Sequence, residues 1–135
     1  MEPRARIFSL DEANALLPEL ESLLHALELK QERFRRLEDE LFFWEILEQA
    51  APPETKFQEL EASLLALEKE INQIRELGCF LRHAERGLID FLAQRDEEWI
   101  YYCWKRGEKE ICYYHTLGGG FLERQPLRGE NARTS

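Results

Sequence analysis

The sequence predicts an α+β fold: a long antiparallel helical hairpin followed by a small antiparallel β-sheet packed on the N-terminal half of the first helix. Three observations lead there. Apolar residues recur at steps of mostly three and four from Leu10 to Trp44. They do so again from Phe57 to Ile74. After Gly78 the period changes, and two runs rich in aromatic and β-branched residues follow, at 99–104 and 111–115. Steps of three and four mark one face of a helix, whereas aromatic and β-branched runs fit a pleated strand.

The first helix is expected over 10–50. Ser9 and Glu12 form a capping box at its start, each side chain serving the other's free amide. Its stripe is Leu10, Ala13, Leu17, Leu20, Leu24, Leu27, Phe34, Leu37, Leu41 and Trp44. Pro18 lies on its solvent side or kinks it, and Pro52–Pro53 stops it. A second helix is expected over 56–77, opened by a capping box of Thr55 and Gln58 and closed by Gly78. Its seam is Phe57, Leu60, Leu64, Leu67, Ile71 and Ile74.

At 1.5 Å rise per residue the helices span roughly 60 Å and roughly 33 Å. The shorter one leaves the stripe from Leu10 to Leu24 uncovered, and antiparallel pairing puts whatever follows Gly78 beside it. Strands are expected within 79–82, 88–93, 99–105 and 110–116. A two-residue type II′ loop at Gly107–Glu108 would set Cys103 opposite Cys112. Ile100, Tyr102, Trp104, Ile111, Tyr113 and His115 would then share one face. Residues 1–127 form one domain in this reading, and 128–135, apolar only at Ala132, form a disordered tail.

The chain has 135 residues and a net charge of −9, which argues against nucleic acid and anionic membrane as partners. No apolar stretch reaches the length of a membrane span, and the N-terminus does not read as a signal peptide. Three cysteines and no export signal point to reduced thiols in a cytoplasm.

Two stretches carry a family resemblance. The first runs from Arg6 through Ser9-Leu10-Asp11-Glu12-Ala13-Asn14 to Pro18-Glu19-Leu20. The second comprises Gly87-Leu88-Ile89-Asp90-Phe91, Cys103-Trp104, Gly107-Glu108, His115, Gly120-Phe121 and Arg124-Gln125-Pro126-Leu127. In order and spacing the chain resembles the bacterial DUF2203 proteins, a domain of unknown function, from Arg6 to Leu127. The resemblance implies an α+β fold and a bacterial intracellular setting, and no activity. The chain departs from the family pattern at Leu92, Thr116, Gly118 and Gly119; Thr116 stands where an acidic residue often follows the histidine.

Four residues are candidates for a ligand site: Asp90, Trp104, His115 and Arg124. Arg124 can pair with Asp90 through two bonds, His115 can sense either charge, and Trp104, Tyr102 and Tyr113 can wall an anionic small molecule. The reading of the same residues that comes first is a buried ion pair that pins the returning C-terminal segment. No metal or other cofactor is expected. Cys103 and His115 are the weaker metal alternative, because the expected register puts them on opposite faces. The same facing argues against a Cys103–His115 nucleophile pair. The readings of function are, in order, a non-enzymatic module that dimerises through its helices, a small-molecule-binding protein or enzyme at the Asp90, His115 and Arg124 site, and a metal protein. The dimer is expected because Leu41, Phe42, Phe43, Trp44, Ile46 and Leu47 carry apolar groups nearly all round the helix. No residue pattern names a reaction.

Overall fold

The computed structural model describes residues 6–48 and 51–127. The expected 128–135 tail and the last two residues of the expected first helix lie outside them. The helical part comprises α1 (Leu10–Ala15), α2 (Leu17–Phe43), a π-helical turn (Trp44–Glu48) and α3 (Glu54–Glu76). The strands are β1 (Phe80–His83), β2 (Leu88–Arg95), β3 (Glu98–Lys105), β4 (Tyr113–Thr116) and β5 (Gln125–Pro126). They form one antiparallel sheet in chain order, β1-β2-β3-β4-β5. The expected α+β architecture is therefore present.

The capping box at Ser9 is formed: the Glu12 amide donates to Ser9 Oγ at 3.1 Å and the Ser9 amide donates to Glu12 Oε1 at 2.9 Å. The first helix is not continuous, however. Proline lacks an amide hydrogen, so Pro18 cannot serve the carbonyl of Asn14, and the helix breaks at Leu16 with Pro18 in the opening turn of α2. The second capping box is absent. α3 begins at Glu54 with Pro53 as its N-cap, which places Thr55 inside the first turn, where it cannot cap.

The ion pairs Lys30–Glu70 and Glu40–Lys56 fix α2 and α3 as antiparallel. In that register the C-terminus of α3 lies beside about residue 24 of α2, so the opening turns of the first helix overhang. The sheet fills the gap. Ala13, Leu17, Leu20, Leu24 and Leu27 bury against Ile89, Phe91, Ala93, Ile100, Tyr102 and Trp104. Polar contacts secure the docking: the Ile111 amide donates to Asn14 Oδ1 at 2.8 Å, and Arg106 reaches Glu21 and Glu28. The seam of α3 differs from the expected one. It buries Ser63, Glu70 and Ile74 and leaves Phe57 and Leu64 exposed.

The β3–β4 register also differs, and the site depends on it. Glu108 donates its amide to the Lys105 carbonyl, so Gly107, with φ +102°, is the second central residue of its turn and not the first. That is type II geometry, which glycine adopts without strain. The chain then runs irregularly to Tyr113. Trp104 Nε1–H donates to the Glu108 carbonyl, and the Lys105 amide donates to Glu108 Oε1. Cys103 consequently pairs with Tyr113, not with Cys112. A shift of one residue exchanges the two faces of a strand. Tyr113 and His115 therefore share a face with Tyr101 and Cys103, while Tyr114 turns towards the core.

Candidate functional site

The sheet face turned away from the helices carries the site. Alternation along β2 and β3 sends Ile89, Phe91, Ile100, Tyr102 and Trp104 inward, and Asp90, Tyr101 and Cys103 outward. Asp90 stands directly opposite Cys103, and Phe80 of β1 opposite Asp90. His115 arrives from β4 opposite Tyr101. Three adjacent strands thus bring a carboxylate, a thiol and an imidazole together. Their ligand-capable atoms all lie within 4.8 Å of one another, and all three residues are buried. Facing them is a cavity of about 350 Å³, walled by Leu88, Tyr101, Leu117, Phe121 and Arg82.

The hydrogen bonds set which ring nitrogen of the imidazole carries a hydrogen. His115 Nδ1 lies 2.8 Å from the Thr116 carbonyl, which only accepts, so Nδ1 carries the hydrogen. In the neutral ring Nε2 is then a bare lone pair, 3.1 Å from Asp90 Oδ2. Two lone pairs at that distance repel unless a cation lies between them, either a proton or a metal ion. A backbone carbonyl holding the far nitrogen is also how metal-ligating histidines are oriented. Thr116 provides no carboxylate beside His115, and Asp90 supplies one from another strand.

Arg82 was missed from sequence. Its Nε donates to Asp90 Oδ2 at 3.0 Å, and its guanidinium lies over Phe80 and Tyr101. Strand alternation put Phe80 and Arg82 on one side, but nothing distinguished Arg82 from any edge-strand arginine. Burial pushes the Cys103 thiol up to about 11; the Asp90 charge adds to this and Arg124 opposes it. Unaided, the sulfur is a thiol at neutral pH, which argues against a free nucleophile.

Two expected site residues do not join Asp90 and His115, although Arg124 lies beside Cys103, where its charge favours the thiolate. Arg124 bonds Glu108 at 3.0 and 3.3 Å, not Asp90, and stacks on Tyr113 and Phe121. It pins the returning C-terminal segment, whose Leu127 amide donates to the Cys112 carbonyl. Trp104 is fully buried on the inner face and does not line the cavity. Of the four expected residues, the structure brings together Asp90 and His115. The metal alternative of Cys103 and His115 loses its main objection, because both face the same way.

A family model described as "Uncharacterized conserved protein (DUF2203)" matches residues 6–127 of the chain. No curated protein and no solved structure matches it.

Proposed function

The chain belongs to the DUF2203 family, whose description names no activity, and we propose that it is a metal-binding module holding one zinc-class divalent cation between Asp90, Cys103 and His115. The observation that carries this reading is the convergence of three buried ligand-capable groups, whose atoms lie within 4.8 Å of one another, with the Thr116 carbonyl engaging Nδ1 and leaving Nε2 towards Asp90 Oδ2. With bonds of about 2.0–2.3 Å at tetrahedral angles, the ligand atoms of zinc lie about 3.3–3.7 Å apart. The nitrogen and oxygen are already 3.1 Å apart, and the sulfur is within 4.8 Å of both. Carboxylate, imidazole and thiolate together suit a borderline-soft ion better than calcium or magnesium. The metal supplies the positive charge that lets Cys103 ionise despite its burial, and its thiol proton is released on binding.

The test is zinc titration of the full chain under reducing conditions, with elemental analysis. One equivalent is expected. Cys103→Ser and His115→Gln should each weaken binding by at least about 100-fold, since even outer-shell losses weaken metal sites by about 10–100-fold. An unligated chain, or variants that bind as well as the parent, would overturn the reading. The free thiols of Cys79, Cys103 and Cys112 support a reducing, cytoplasmic setting. No helix among the described residues is long and apolar enough to cross a membrane.

A second reading concerns assembly: two copies associate through the hairpin. Its support is the exposed apolar cluster of Phe42, Phe43, Ile46 and Leu47 at the hairpin tip, with Phe57, Leu64 and Leu65 on α3. Sedimentation of the parent should then give a dimer. Phe43→Glu with Leu47→Glu should give a folded monomer; a monomeric parent at high concentration removes this reading.

A further inference from the structure

From the cavity beside the cluster we infer that the bound cation takes an exogenous ligand, a small organic carboxylate whose oxygen occupies the fourth metal position and whose charge is shared with Arg82; this rests on the metal reading above. Three protein ligands leave a tetrahedral ion one position short, as in catalytic rather than structural zinc sites. Asp90, Cys103 and His115 all line the cavity, so that position has room to open into it. At about 350 Å³ the cavity is at the small end for ligand pockets, which run to roughly 1,000 Å³.

Charge selects the ligand's sign. A divalent cation balances the Asp90 carboxylate and the Cys103 thiolate, with His115 neutral. Arg82 then remains as a surplus positive charge at the cavity wall. Its bond to Asp90 uses Nε, and its terminal nitrogens make no hydrogen bond among the described residues. A carboxylate oxygen has more than one acceptor direction, so Asp90 Oδ2 can keep Arg82 while it ligates the ion. The terminal nitrogens are thereby left for an incoming anion, which Arg binds in a two-bonded fork. The remaining walls, Leu88, Tyr101, Leu117 and Phe121, are apolar or aromatic and select a hydrophobic body behind that carboxylate. Gly119 and Gly120 complete the lining; at Gly120 an added Cβ would meet nothing within 4 Å, so the wall is open there.

The probe is benzoate, titrated into the full chain loaded with cobalt(II), whose visible bands report the coordination sphere. The bands should shift and saturate at one benzoate per cobalt, while neutral benzamide should leave them unchanged. Compared at saturating cobalt, so that any loss of metal affinity does not enter, Arg82→Gln should bind benzoate at least tenfold more weakly than the parent, and Arg82→Lys should recover part of the loss. Cobalt-loaded protein whose bands ignore benzoate, or Arg82→Gln that binds it as tightly as the parent, overturns the inference and leaves the metal reading standing. Benzamide acting as well as benzoate also overturns it. Failure to load cobalt at all removes the metal reading and this inference with it.

Discussion

The two faces of one sheet are built from the same strands and both hold almost fully buried side chains, yet they differ in chemistry. The inner face holds Ile89, Phe91, Ile100 and Trp104 against α1 and α2, each at most 1 % exposed. The outer face holds Asp90, Cys103 and His115, at 4 %, 2 % and 3 %. Apolar burial stabilises a fold directly, whereas buried polar groups lose hydration and regain it only through good partners. The inner face is thus accounted for by folding alone. The outer face hides a carboxylate, a thiol and an imidazole beneath the 117–121 segment, and folding alone does not call for that set. Equal burial with unequal chemistry separates the part of the sheet that holds the molecule together from the part available for function.

Truncation on each face should separate the two roles. Trp104→Ala should reduce unfolding free energy by about 3–5 kcal/mol, the usual range for deleting a fully buried large aromatic. Cys103→Ala on the same strand should cost roughly 1 kcal/mol in metal-free protein. Urea unfolding of both variants measures the contrast, and equal losses would make the outer face structural.

The Asn14–Ile111 contact sharpens the comparison, because it ties the β3–β4 connection to the helix and so holds the register on which the outer cluster depends. Asn14→Ala leaves the Ile111 amide without its acceptor and should cost about 1–3 kcal/mol. It should also weaken zinc binding although residue 14 touches no ligand. Unchanged zinc affinity together with a full stability loss would show that the register is set elsewhere.

A smaller effect is expected from alkaline pH. Burial raises the Cys79 and Cys103 thiols from 9.0 to about 11. The folded chain therefore keeps these protons when the unfolded chain has begun to lose them. Stability from this source is complete below about pH 9 and is lost as pH rises towards about 11. The melting temperature of metal-free protein should fall between pH 8 and pH 10, and less so in Cys79→Ala. A flat profile would mean that neither thiol is buried as described.

Much of the fold is legible along the chain because its signals are local. The Ser9–Glu12 capping box, the stop at Gly78 with φ +93° and the strand character of 99–104 each depend on neighbours a few residues away. The overhang of the first helix follows from length alone, and with it the docking of the sheet on the opening turns. The break at Leu16 was half legible, since Pro18 announces a disturbance without saying whether the helix bends or restarts. The α3 seam was misread because Ser63 and Glu70 are buried there, and burial of Glu70 is made possible by Lys30 of α2, a residue 40 positions away.

The sequence by itself determined the element types, the apolar stripes and which residues could carry chemistry, because periodicity and capping are properties of short segments. Only the tertiary structure decided which of those residues meet. That choice turned on one residue of register between β3 and β4. The register is held by Glu108 folding back on Lys105, by the Trp104 indole on the Glu108 carbonyl and by Asn14 from the opposite end of the chain. Side chains alternate across a strand, so a single step brought Cys103, His115 and Asp90 onto one surface and sent Arg124 to Glu108 instead.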